Sequence, residues 1–142
     1  MDNKWTLEKL ENKLTGWKND TIEATGNWND YRECWDINTS DILTRLIQVA
    51  GRLCDRYASD LFISWKQIEN ILKDYEYSDG KFLFGFRKDG VDHTEYILNR
   101  LNDGTELYYY REMWLLEIKT EDKYFGLGYS GKITFTLKKI YV

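Results

Sequence analysis

The spacing of apolar residues changes along this chain from helical to alternating near residue 80, and that change restricts the fold more than any other feature. Residues 41–57 carry Ile42, Leu43, Leu46, Ile47, Ala50, Leu53, Cys54 and Tyr57 on one helical face. Arg45, Gln48, Arg52, Asp55 and Arg56 mark the opposite face, and Thr39, Ser40 and Asp41 offer N-caps. Trp5, Leu7, Leu10 and Leu14 predict a shorter helix over 4–14, stopped at Gly16. Ser64 and Gln67 stand at capping-box spacing before the stripe Trp65, Ile68, Ile71, Leu72 and Tyr75. Leu61, Phe62 and Ile63 are expected to be buried between those helices.

Past residue 80 the period becomes two. Phe82, Phe84 and Phe86 alternate with Lys81, Leu83, Gly85 and Arg87, which reads as a strand. Asp89-Gly90 signals a turn. Asp92 and Glu95 again have capping-box spacing, and Ile97, Leu98 and Leu101 predict a short helix over 93–102, with Gly104 as its stop. Residues 107–119, 123–129 and 132–141 read as strands joined by turns at 120–123 and at Ser130-Gly131. The run Met113-Trp114-Leu115-Leu116 mixes both strand faces, which points to an edge or a bulge.

These elements predict an α+β fold, with the N-terminal helices packed on one face of a C-terminal antiparallel sheet of about four strands. The inner face of that sheet is expected to include Phe84, Trp114, Phe125 and Phe135, met by the 41–57 helix through Leu46, Ile47, Ala50 and Leu53. No repeat, low-complexity tract or linker interrupts the chain. One domain over 1–142 is the economical expectation, with 1–80 mainly helical and 81–142 mainly antiparallel β.

Composition enters where it excludes functions. The 142 residues are 42% hydrophobic and 16% aromatic, enough to build a core. Net charge is −4 and the pI about 5.1, too acidic for the basic face that direct nucleic-acid binding needs. Two cysteines, Cys34 and Cys54, form no CxxC pair, and a secretion signal or spanning run is not evident. The expectation is two free thiols in a cytoplasmic protein that does not enter a membrane. Proline is absent, alanine is scarce and lysine outnumbers arginine 13 to 7, the biases that AT-rich bacterial or phage coding leaves.

The segment 17–41 stands apart. It has no sustained period, although Tyr31, Glu33 and Trp35 alternate with Arg32, Cys34 and Asp36 as a short hairpin would. It holds three of the six tryptophans, and residues 20–41 carry six acids against one base. Long irregular segments in compact domains are usually functional or disordered, and Trp and Tyr anchor interfaces. Partner binding is therefore placed at Trp17, Trp28, Asp30, Tyr31, Glu33, Trp35 and Asp36, with a basic protein as the partner. Folding of these rings onto the sheet, with the acids left as a solvated rim, is the competing reading.

Other motifs carry less. Gly126, Gly128 and Gly131 spell GxGxxG, but no helix follows to meet a pyrophosphate, so the glycines are read as hairpin residues. Arg87, Asp92, His93 and Glu95 cluster near a turn, and His93 is the only histidine. A small enzyme built around it is the second functional expectation. Tyr108, Tyr109 and Tyr110 form an aromatic run without a basic groove beside it. One histidine and two separated cysteines make no ordinary zinc site, and the acids of 20–41 lack calcium-loop spacing, so neither metal nor cofactor is expected. The leading expectation is a non-enzymatic binding module of the inhibitor or immunity-protein kind, a phage-encoded inhibitor of a host defence protein being one form it takes.

Overall fold

Alternation of buried and exposed positions sets the sheet, and it begins much earlier than residue 80. In the computed structural model, which describes residues 4–13, 16–29, 31, 34–54, 69, 72, 79–87, 90–107, 113–125 and 128–140, a long strand β1 occupies Trp17–Asn29. The remaining elements are α1 (Leu7–Lys13), β2 (Cys34–Asp36), α2 (Thr39–Cys54), β3 (Gly80–Arg87), β4 (Gly90–His93), α3 (Thr94–Asn102), β5 (Met113–Phe125) and β6 (Gly128–Ile140). The fold is α+β. The strands form one sheet of six in the order β2-β1-β6-β5-β3-β4, antiparallel at every pairing.

Two expectations about the sheet are corrected. It has six strands rather than about four, because β1 and β2 come from the segment read as irregular. The helices also divide between its faces instead of sharing one. Trp114, Leu116 and Ile118 of β5 pack with Phe84, Phe135, Leu137 and the α2 residues Ile42, Leu46, Val49, Ala50 and Leu53. The intervening Met113 and Leu115 point the other way, into a cluster with Leu10 of α1 and Ile97 and Leu101 of α3. Successive strand residues face opposite sides, so the unbroken apolar run of β5 is the mark of a strand covered on both faces. Met113 through Ile118 are all buried, and β5 is interior, not an edge.

The β5–β6 hairpin is continuous from Trp114 opposite Lys139 to Phe125 opposite Gly128. The positions read as turns, 120–123 and Ser130-Gly131, are therefore ladder residues. Asp79 helps hold this course: its Oδ1 accepts from the Thr120 backbone N–H at 2.6 Å and from the Thr120 hydroxyl at 2.8 Å.

The expected docking of α2 on Phe84, Trp114 and Phe135 is present, and Leu46, Ala50 and Leu53 carry it, with Ile47 half-buried beside them. Phe125 lies in β5, with its side chain outside the described residues, as is Tyr57. Helix α2 begins at Thr39, directly after Asn38, whose Oδ1 accepts from the Asp41 N–H at 3.1 Å, so Asn38 is its cap rather than Thr39, Ser40 or Asp41. Helix α3 follows His93, which caps it without a side-chain bond; the N-cap is thus His93 rather than Asp92, whose side chain lies outside the described residues. Instead Thr94 anchors the turn, its hydroxyl accepting from the Leu83 N–H at 2.8 Å and donating to the Leu83 carbonyl at 3.0 Å. Of the helix expected from Ser64, Glu69 and Leu72 are described; both are helical, and Leu72 is buried against the α2 cluster. No helix of the described residues is long and apolar enough to cross a membrane.

Candidate functional site

The β1–β2 hairpin end is assembled around two glycines. Gly26 lies directly opposite Gly131 across the β1–β6 ladder. A Cβ on Gly131 would stand 2.5 Å from the Trp35 ring, and one on Gly26 would stand 2.8 Å from Ile37 Cγ2. The paired glycines thus leave a notch into which Trp35 and Ile37 fold. Trp35 is only 5% exposed and joins the α2-side core.

Trp28 pairs with Trp35 in register, and the two rings meet edge to face at 5.4 Å and 75°. The buried indole therefore fixes the exposed one. Trp28 is 37% exposed and Tyr31 fully exposed, at 101%. Among the described residues these are the two large hydrophobic side chains left in water. Asn29 ties the tip together: its Nδ2 donates to Asp36 Oδ2 at 3.1 Å, and its Oδ1 accepts from the Tyr31 N–H at 3.0 Å. Asp36 is exposed beside them.

The seven residues singled out in the sequence do not all gather here. Trp28, Tyr31, Trp35 and Asp36 belong to this end of the hairpin, but Trp35 faces inward. Trp17 starts β1 opposite Ile140, eleven residues from Trp28 and about 35 Å away along a strand. It packs with the α1 and α3 cluster on the other face. Asp30 and Glu33 fall in the connection between β1 and β2 and lie outside the described residues.

Around His93 less can be assembled. His93 ends β4 opposite Phe84 and is exposed, as is Glu95 in the first turn of α3. The side chains of Arg87 and Asp92 lie outside the described residues, as do Tyr108, Tyr109 and Tyr110. No group of three or more potential metal ligands occurs among the described residues. Cys54 is a free thiol at the end of α2, accepting from Lys139 Nζ at 2.9 Å.

Sequence reasoning missed one charged cluster. Glu117 of β5 is only 8% exposed. Its carboxylate lies 3.1 Å from Lys119 Nζ, 3.6 Å from Lys81 Nζ and 4.0 Å from Lys138 Nζ. Glu11 of α1 joins Lys81 at 3.1 Å and Lys138 at 3.5 Å. Burial pushes the Glu117 carboxyl upward, but the hydrogen bond from Lys119 and the charges of Lys119, Lys138 and Lys81 outweigh it and hold the group below the usual range. The hydrogen bond to Glu11 raises Lys81 despite partial desolvation. These residues pin α1 to the sheet. The signal available in the sequence was a lone Glu at the end of an otherwise apolar run, Trp114-Leu-Leu-Glu117-Ile118.

No protein-family model, curated protein or solved structure matches this chain.

Proposed function

We propose that this protein is a non-enzymatic binding module, an acidic inhibitor that occludes a basic protein partner with the tip of its β1–β2 hairpin. The observation that carries the reading is the pairing of exposure with support: Trp28 and Tyr31 stand in water, while the Trp35 ring backs the Trp28 ring and Asn29 ties down the Tyr31 backbone. Rigid aromatic anchors lose little conformational freedom on binding, and such residues supply most of an interface's energy. Asp36, together with Asp30 and Glu33 in the same connection, supplies negative charge that steers a basic surface towards the rings.

The partner captured by the purified protein identifies the target. Trp28→Ala combined with Tyr31→Ala should weaken that complex by about 30-fold or more, the scale of losing a central interface anchor. Association should slow as salt rises, because exposed charges are screened over about 10 Å at 0.1 M. Full retention of the captured partner by the folded double variant would sink the proposal. Trp35→Ala is not a substitute test, since that ring is part of the core.

A further inference from the structure

We propose that the outer side of α1 forms a second, independent site that binds a small phosphate-bearing anion. An open hollow of about 460 Å³ lies there, lined by Lys4, Trp5, Lys9, Asn12 and Lys13. That volume suits a small molecule. Among the described residues every charge on its lining is positive, in a chain whose net charge is −4.

Four lysines elsewhere among the described residues provide a contrast. Lys81, Lys119, Lys132 and Lys138 each lie within 4.0 Å of a carboxylate. Lys4 and Lys13 approach none among the described residues, although the chain has an excess of acids. Cations that line one hollow repel one another, and an anion bound there would offset that repulsion.

The lining is also held in place. The Trp5 backbone is clasped by the Asn102 side chain, Oδ1 accepting from its N–H at 2.5 Å and Nδ2 donating to its carbonyl at 3.2 Å. That clamp ties the hollow to the end of α3. Lys13 Nζ stands 5.0 Å from the centre of the Trp5 ring, and Lys9 Nζ donates to the Lys4 carbonyl at 3.2 Å. Ammonium groups bind phosphate as point charges, and a multiply charged phosphate gains more from several of them than a single carboxylate does. The Trp5 ring offers an aromatic surface to a ligand that also carries a base, so a free polyphosphate and a nucleotide share the required chemistry.

Titration calorimetry of the full chain with tripolyphosphate and with ATP separates these sources, with adenosine as the uncharged comparison. Saturable 1:1 binding of tripolyphosphate is expected, and Lys4→Gln with Lys13→Gln should weaken it at least tenfold. Lys119→Gln with Lys132→Gln removes the same net charge from carboxylate-paired lysines and should change affinity less than threefold. ATP binding tighter than tripolyphosphate, with the difference abolished in Trp5→Leu, assigns the site to a nucleotide; equal affinities assign it to the phosphates alone. Absence of binding at millimolar ligand, or equal weakening by both double variants, overturns the proposal.

Discussion

On the α2 side of the sheet, aromatic and aliphatic side chains from β3, β5, β6 and α2 meet in a core of Phe84, Trp114, Phe135, Leu46 and Leu53. On the α1–α3 side the apolar cluster is smaller, and Glu117, Glu11 and three lysines stand next to it. The first face is held chiefly by buried apolar area, which does not titrate. The second adds charged groups whose contribution depends on solution conditions. The difference matters because Glu117 gives up hydration on entering the sheet, and its lysines have to offset that loss.

The contrast can be broken most directly at Leu46. Leu46→Ala should destabilise the protein by about 2–5 kcal/mol, read as a lower denaturant midpoint at unchanged slope. A small effect would mean that α2 contributes little to the sheet's stability. Gly131→Ala should cost about 1–3 kcal/mol, since its new methyl overlaps the Trp35 ring and the indole has to shift. Tryptophan fluorescence should move to longer wavelength in the same variant as Trp35 becomes wetter.

Glu117→Gln should cost about 1 kcal/mol at neutral pH, because the lysines it abandons are partly exposed and rehydrate. Its pH dependence sharpens the comparison between faces. The folded carboxyl titrates below its unfolded value, so its contribution is present above that value and is lost as pH falls through the folded one. Wild type and Glu117→Gln should therefore differ in stability at neutral pH and converge in acid, once pH falls below the depressed value of the folded carboxyl. Leu46→Ala should lose a constant amount across the same range. Arg52→Ala should have the smallest effect, about 0–1 kcal/mol, since the Arg52–Asp20 bridge of 2.6 Å lies in solvent.

The two longest strand pairings differ in how far the sequence reveals them. Strands β5 and β6 are legible as strands, because Ile133, Phe135 and Leu137 alternate with polar residues and Met113 to Leu116 form an apolar run, but not in their length or in the interior place of β5. Strand β1 is not. Its positions on the α2 side of the sheet are Asp20, Ile22, Ala24, Gly26 and Trp28, of which Ile22 is the large apolar side chain that is buried while Trp28 stays exposed. The space that small residues leave is filled by Trp35 and Ile37 from the following segment, and Asp20 is matched by Arg52 from α2. Strand character at 17–29 is thus supplied by partners distant in sequence, and no local period announces it. The same holds for the candidate site. The richness of 17–41 in Trp and acid was visible, but which ring would be buried depended on a glycine more than ninety residues away.

The pairing of Trp17 with Ile140 has a consequence for synthesis. Strand β1 emerges from the ribosome more than a hundred residues before the strand that completes its ladder. Hairpins β3–β4 and β5–β6 can form as their residues appear, whereas β1 has to wait for a closure spanning nearly the whole chain. Contacts so distant in sequence slow folding, because the chain gives up loop entropy before the ladder rewards it. During that interval the amphipathic α2 and the edge of β1 lack their final cover, and the nascent protein is at its most vulnerable to aggregation and proteolysis.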